Sequence, residues 1–584
     1  MPDPPNATIA ALFDELADLY ELDGAVVHRV LAYRNAAKAV REAPRSVAAM
    51  TRAGTVTELP GIGRTLEEKL QALLETGHIP SLERLRGQFP PGLLDMTHLP
   101  GLGPKRARRL FDELGIDSLA ALKEAAEAER LRDVRGFGAK FEEAVLAAFA
   151  AGAGDADARP RMLLNRALQL ADGIVEALRA HPSSERVEIA GSARRLADSV
   201  KDLDIIATAK DPAALLRAFS QLDVIESSSS PGENAARART HSGLSVDLRV
   251  VEPDQFGNLL QHFTGSKAHN VALREAAVRR GLHVSEYGLT DDATGTTHHC
   301  ATEEEVYALL GLPWIPPELR EDRGELGLSS PADVPKLVEV GDLRGDLHSH
   351  TVASDGRHSV EEMARAAQER GLEYLAVTDH SASHGFGNHV TPDALRRQIE
   401  HVREVGSRME GFTLLIGTES NIGLDGAPDY DDDLLAELDW VIGSVHTSFG
   451  MGSEAMTQRM VAAIEHPLID AIGHPTGRKI ETRAPYAVDM DAVIDAAART
   501  GTMIEINAAP DRRDMNDVHA RAAAAAGVRV LVNSDAHSIA NLALARWGIA
   551  TARRAWLTAA DVANTLPWEQ FAPLRKRART GVSG

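Results

Sequence analysis

The chain has 584 residues, 44% of them hydrophobic and 25% charged, too many for one core and ordinary for a set of globular domains. Its single cysteine, Cys300, excludes an internal disulfide framework and fits a reducing cytosol. The formal charge of −22 excludes DNA binding by bulk charge but leaves local basic patches open, because screening weakens repulsion beyond roughly 10 Å. The opening MPDPPNATIA has neither the basic nor the apolar part of a signal peptide. No apolar run reaches about 18 residues, so no membrane span is expected and the chain is read as cytoplasmic.

The first 150 residues repeat a theme. LPGIG (59–63), LPGLG (99–103) and VRGFG (134–138) each precede a helical stretch, RTLEEKLQALLETG, PKRARRLFDELG and AKFEEAVLAAFA. Glycines around one apolar residue permit a tight turn and close approach of another backbone. The helix that follows offers free N–H groups and a positive dipole end to a phosphate. A single G-x-G is no more than an interhelical turn. Three copies, with Lys105, Arg106, Arg108 and Arg109 behind the second, read as helix-hairpin-helix elements that grip DNA backbone rather than bases. Gly61, Gly63, Gly101, Gly103, Gly136, Gly138, Lys105 and Arg106 are the candidate DNA contacts. VHRVLAYRNAAKAVRE (27–42) is a further helix with basic residues on several turns.

AGDADARPR (153–161) reads as a connector. VEIAGSARR (187–195) reads as a strand turning into a helix led by Gly191 and Ser192, where Arg195 adds a charged fork for phosphates. KDLDIIATA (201–209) is a strand with Asp202 and Asp204 on one face, and SVDLRVV (245–251) is another that carries Asp247. Three carboxylates at one place repel unless a cation compensates. Mg²⁺ (or Mn²⁺) suits carboxylate oxygens and shares its shell with phosphates, and two such ions bind an attacking 3′ oxygen and a leaving pyrophosphate together.

From about residue 340 the chain alternates strands with helices such as SVEEMARAAQERG and VDMDAVIDAAARTG. Seven strand ends are expected, in GDLHSH, EYLAVTDH, FTLLIGTES, LDWVIGSVH, LIDAIGHP, GTMIEIN and VRVLVNSDAH; six carry His or Glu at the last or next-to-last position. That is the logic of a βα barrel whose reactive face lies at the C-terminal strand ends. In GDLHSHTVASDG a period of two puts His348 and His350 on one side of an extended chain, with Asp355 close behind. The cluster is His348, His350, Asp355, His380, Glu419, His446, His474, Asp535 and His537. Nine side chains exceed one site and suit two or three ions, with Glu419 bridging. Imidazole-rich ligation favours Mn, Zn or Fe over Mg.

GSARR…DLD, VDLRVV and HFTGSKAHNVALREAAVRRGLHVSEYGL (262–289) resemble the nucleotidyltransferase palm and thumb of family X DNA polymerases, and the N-terminal segment resembles their small lyase-like domain. The resemblance implies that Asp202, Asp204 and Asp247 form the catalytic metal-binding triad and that Ser192 and Arg195 hold the triphosphate. It implies that Phe263 and Gly265 line the sugar, that Asn270 reaches the minor-groove side of the incoming base, and that Arg274 touches the template with support from Glu286 and Tyr287. Lys69, in GIGRTLEEKL, falls where that family can carry a Schiff-base lysine; a phosphate contact is its other reading. The family commonly has a tyrosine before the phenylalanine, where this chain has His262, which puts strict sugar discrimination in doubt. The C-terminal cluster resembles the PHP (polymerase and histidinol phosphatase) domain with all nine usual ligands. This implies a metal-dependent 3′–5′ exonuclease that also processes 3′ ends or abasic sites.

The expected fold is multidomain. It joins a helical lyase-like domain with the first hairpin (1–90), a fingers-like helix-hairpin-helix domain (91–152), an α+β palm (153–260), a thumb (261–318), a linker (319–340) and a seven-stranded distorted β/α PHP barrel (341–575). Gapped or nicked DNA and dNTPs are the expected partners, and a nucleoid-associated monomer the expected state. A phosphoesterase whose polymerase has lapsed, a non-catalytic DNA-end binder and a metabolic phosphatase are the rivals.

Overall fold

A computed structural model describes residues 3–97, 99, 101–150, 161–229, 232–385 and 388–580. The expected connector at 153–161 falls, apart from Arg161, outside the described residues. The chain forms two compact units that are not consecutive in sequence. One comprises Met1–Pro160, Leu170–Val187 and Lys201–Val250; the other comprises Arg161–Gln169, Glu188–Val200 and Val251–Gly584.

In the first unit the helix Asn6–Leu22 buries Ile9, Phe13, Leu16 and Tyr20, the three-and-four spacing that lines one helical face. It packs on Val27–Glu42 through Val30, Tyr33 and Val40, and the Tyr20 and Tyr33 rings stack 5.2 Å apart. Each such side chain, fully buried, contributes about 1.5–3 kcal/mol. One apolar cluster runs from Ile9 through Leu66, Leu102 and Phe137 to Val145, so the stretches expected as separate lyase-like and fingers-like domains share a core. The unit also contains a five-stranded sheet in the order Ser184–Ile189, Asp202–Ala209, Ser245–Val250, Ala235–Thr240, Ile225–Ser228. Asp202–Ala209 and Ser245–Val250 run parallel, and Ala235–Thr240 and Ile225–Ser228 are added antiparallel. The helix Pro212–Ser220, capped by the Asp211 carboxylate, covers one face with Leu215, Leu216 and Phe219.

In the second unit the helix expected after Gly191 is a single turn, Gly191–Arg194. Leu196, in the left-handed region at φ 57°, ends it. The thumb is two helices, Phe256–Thr264 and Lys267–Val278, followed by a three-stranded antiparallel sheet and the helix Glu303–Leu309, which opens on a Thr302–Glu305 capping box. The segment 319–340, expected as a polar linker, is packed instead: Leu319, Arg320, Glu325 and Leu337 are buried. Polarity misled here because the charges are paired internally. Arg320, 0% exposed, reaches the carboxylate of Glu303, which also takes two bonds of 2.8 Å from Arg194. Burial opposes the charge on Glu303, yet Arg320 and Arg194 lower its pKa to about 2.

Breaking such a pair leaves a buried charge alone, so Glu303→Gln should destabilise the thumb by about 3–5 kcal/mol. Because the folded pKa is depressed, the native carboxylate stabilises fully above its unfolded value of 4.5 and loses that contribution as pH falls towards about 2. The melting difference between wild type and Glu303→Gln should therefore be largest near neutrality and close on acidification. A constant difference would contradict the pairing.

The remainder is a barrel of seven parallel strands in sequential order: Gly345–Asp346, Tyr374–Val377, Thr413–Asn421, Trp440–Ser444, Ala471–Ile472, Met503–Asn507 and Val530–Asn533. All seven expected strands form. The first and last nearly close it, meeting at the bridge Ser349–Ala536, where the His350 N–H donates to the Ala536 carbonyl at 2.8 Å. Helices cover the outside. Val360–Glu369 begins with a Ser359–Glu362 capping box and buries Val360, Met363 and Ala367. Trp440, Leu347, Tyr374 and Phe571 belong to one apolar cluster of the barrel.

Candidate active sites

The nine expected ligands gather at the C-terminal mouth of the barrel. Strand alternation places the His348 and His350 rings 5.2 Å apart, while Ser349 between them turns away to bond the Ala376 carbonyl. Three sets have ligand atoms lying within 4.8 Å of one another: His350, Asp355, His380 and His537; His348, His350 and Asp535; and His380, Glu419 and His446. His474 stands outside these sets, with Nε2 2.9 Å from Glu419 Oε1. Glu419 is central. Its Oε2 is 2.8 Å from His380 and 3.4 Å from His348, and its Oε1 is 3.2 Å from His446.

The chemistry of the donors fits a metal. His348 Nε2 and His350 Nδ1 are buried without a hydrogen-bond partner, a costly state for a polar atom that an ion relieves. Burial, with His537 and His380 nearby, pushes His350 down to about 4, and burial pushes His446 down to about 4, so both are neutral at pH 7 as ligation requires. Burial opposes charge on Glu419 and Asp535 too, yet the surrounding imidazoles hold both well below the ordinary carboxylate range. Burial likewise works against the His537 cation, but Asp355 and Asp535 raise it to about 9.

Glu505 was not singled out from the sequence. It is buried on Met503–Asn507, 2.8 Å from His348 Nδ1, and accepts from the His474 N–H at 2.9 Å. It fixes which nitrogen of His348 faces the cluster, as an outer carboxylate does for a metal-bound imidazole. An acid inside the apolar run MIEIN was the available signal.

In the other unit the parallel register pairs Asp204 with Asp247, and Asp202 lies two residues before Asp204 on the same face. A residue the sequence did not single out joins them. Arg237, opposite Asp247 in the antiparallel register, donates to its carboxylate at 2.7 and 3.2 Å. The pairing with Asp247, aided by Asp202 and Asp204, raises the guanidinium pKa. Arg237 thus supplies the positive charge that the carboxylates require.

The three hairpin turns are built alike. Gly61, Gly101 and Gly136 have φ of 81°, 79° and 90°, which a side chain rarely adopts. In each the next residue's N–H returns to the carbonyl two before the glycine, at 3.1, 3.0 and 3.0 Å. Gly63 and Gly103 then cap the following helices, and Gly138 stands just before the third. Lys105 is exposed beside the second turn. Arg106 is held internally: it donates to the carbonyls of Gly101 and Gly136 at 2.8 and 3.0 Å and lies over Phe137 and Phe141. It joins two turns into one surface. Lys69 bonds Ser81 Oγ at 2.9 Å.

In the thumb Gly265 is buried where a Cβ would lie 2.5 Å from Asn270 Oδ1, so glycine permits that approach. Asn270 Nδ2 donates to the His262 carbonyl at 2.7 Å. The His262 ring lies 3.4 Å from Arg274 and 3.7 Å from Glu286, and 5.3 Å from the Phe263 ring. Tyr287 is exposed. Arg195 bonds Glu321 at 3.0 Å and the Thr264 carbonyl at 2.9 Å.

Comparison with known proteins agrees with these parts. Residues 4–79 match the helix-hairpin-helix domain, 93–150 the SAM-like helix-hairpin-helix tandem, 259–321 the DNA polymerase beta thumb and 346–509 the PHP domain. Over 572 residues the chain is 37% identical to the DNA polymerase/3′-5′ exonuclease PolX of Bacillus subtilis, covering 97% of this chain and 99% of that one. Over 203 residues the chain is 34% identical to a probable phosphatase of Caldanaerobacter subterraneus, covering 33% of this chain and 75% of the phosphatase. A probable phosphatase of Photobacterium profundum is 33% identical over 166 residues, 28% of this chain and 63% of the phosphatase. Hairpins, thumb and barrel in this order define the class of family X DNA polymerases with a C-terminal PHP domain. The chain belongs to the family of PolX. Among the described residues no helix is long and apolar enough to cross a membrane.

Proposed function

We propose that the protein fills short gaps in DNA during repair and shortens 3′ ends with the barrel. The observation that supports this is one chain that carries a carboxylate face on a sheet and an imidazole-rich cluster in a barrel, with three like-built glycine turns ahead of them. Asp202, Asp204 and Asp247 would hold Mg²⁺ or Mn²⁺, which supplies charge stabilisation for in-line nucleotidyl transfer. Gly191, Ser192 and Arg195 would bind the triphosphate, with Arg195 exchanging Glu321 for phosphate. Phe263, Gly265 and Asn270 would position sugar and base, and Arg274 the template. His262 gives its backbone carbonyl to Asn270, which would hold that amide in place beside the sugar and base.

The nine barrel residues would hold two or three Mn, Zn or Fe ions, which polarise a phosphodiester and supply hydroxide. His350 and His446 would ligate as neutral imidazoles, and Glu505 would keep His348 oriented. The substrates are gapped or nicked DNA and dNTPs; the protein acts as a monomer, associated with the nucleoid in the cytoplasm. The test is incubation of gapped DNA with Mn²⁺, with and without dNTPs, resolving extended from shortened products. Neither product would overturn the reading. Release of phosphate from small esters alone would instead favour a metabolic phosphatase, the activity the barrel's phosphatase relatives suggest.

DNA binding should weaken with salt despite the acidic balance, because each phosphate contact releases a counterion. Lys105 and the helix starts behind the turns supply a few such contacts, each contributing about 0.9 to the log–log slope on duplex DNA. Affinity unchanged between roughly 50 and 200 mM salt would remove the turns from the DNA interface.

A further inference from the structure

We propose that Arg513, on a loop at the mouth of the metal-binding barrel, is a positioning residue for nucleotide addition, because it holds the segment that carries Gly191, Ser192 and Arg195. The proposal rests on the reading that this segment binds the triphosphate.

The segment has little stability of its own. Gly191–Arg194 is one turn, and one turn is unfavourable in water without outside contacts. Its last carbonyls have no continuing helix to accept from. Three consecutive ones are satisfied instead by arginines that follow residue 500. The Arg195 carbonyl accepts from Arg554 at 2.8 Å, the Leu196 carbonyl from Arg513 Nη2 at 3.0 Å, and the Ala197 carbonyl from Arg513 Nη1 at 3.1 Å. Arg513 is 1% exposed and its Nε donates to Thr551 Oγ1 at 2.8 Å, so the fork is fixed on its own side. The next residue is clamped too: Asp198 lies 3.4 Å from Arg513 and accepts from Arg478 at 2.7 Å. Ser199 donates to Glu481 at 2.7 Å.

The other end of this contact is tied to the ligand cluster. Arg513 follows the strand Met503–Asn507. The Asn507 amide donates to Asp535 Oδ2 at 2.9 Å, and Asn507 pairs with the Asp514 backbone. Asp514 in turn accepts from Thr476, two residues after His474. Leu196 and Arg513 meet with both backbones in the left-handed region, at φ 57° and 44°. Such conformations persist only where surroundings over-determine them. A planar two-carbonyl fork is a role lysine fills poorly.

The test is single-nucleotide gap filling by the full-length protein, with Arg513→Met, Arg513→Lys and Asp198→Asn. A displaced phosphate-binding group weakens nucleotide handling steeply, so Arg513→Met should raise KM for dNTP by about tenfold or more. DNA affinity should stay near wild type, Arg513→Lys should recover part of the loss, and Asp198→Asn should shift KM in the same direction by less. A protein merely less folded would lose active fraction, and so kcat, at unchanged KM. If Arg513→Met does not fold, Asp198→Asn, at a side chain 29% exposed, carries the test. Unchanged KM in the folded variants overturns the proposal. If wild type itself adds no nucleotide, the proposed function fails instead.

Discussion

Asp202→Ala or Asp247→Ala is expected to abolish nucleotide addition on gapped DNA and to leave DNA affinity within a factor of about two, since phosphate contacts elsewhere set that affinity. The register places Asp204 against Asp247 and Asp202 on the same face, so each variant removes a share of one carboxylate face. Losing a ligand to a catalytic ion costs several kcal/mol of transition-state stabilisation, and about 4 kcal/mol is nearly a thousandfold in rate. Folding should survive. Arg237, the partner orphaned by Asp247→Ala, has a side chain 70% exposed and returns to water. Arg237→Ala would serve as a contrast, because it removes positive charge and leaves all three carboxylates. Robust extension by an Asp202→Ala, Asp247→Ala double variant would move the polymerase centre elsewhere.

The second large effect is expected in the barrel. His350→Ala and His446→Ala should each remove Mn²⁺-dependent 3′ shortening and spare extension, because the two centres share no residue. They should differ in metal content. His350 belongs to two of the three ligand sets and His446 to one, so His350→Ala should lose more bound metal. Metal analysis beside the nuclease rate, with thermal unfolding of each variant, separates the outcomes: ligands bound to ions stabilise the folded barrel, and their loss should lower its melting temperature. Full metal content and full nuclease activity in both variants would make the histidines structural, and the shortening would have to come from the aspartates.

What could be read ahead of the structure followed from period. Six of the seven expected strands carried His, Asp or Glu where an apolar run broke off, and that pattern picked out the barrel cluster, with Asp355 coming from the loop after the first strand. The hairpins were legible because Gly61, Gly101 and Gly136 need a conformation only glycine takes easily. What escaped were side chains whose role depends on a partner far away in sequence. Arg237 has meaning only opposite Asp247, and Glu505 only beside His348, 157 residues earlier. Arg320 and Glu325 looked like linker charges because nothing local announces that Glu303 and His269 await them. The Gly-Ser turn looked like a helix start because its terminator is Leu196, a residue that normally continues a helix.

The arginines that cap the Gly191–Val200 stretch bear on where this chain can be cut. Residues 188–200 belong to the same compact unit as the barrel, although some 140 residues of sequence intervene before it begins. A fragment ending near residue 340 would keep the whole polymerase sequence and lose Arg478, Arg513 and Arg554, leaving three carbonyls and Asp198 without their donors. On the reading proposed above, a mutation that unseats Arg513 or Arg554 would weaken nucleotide addition from a distance without touching an aspartate.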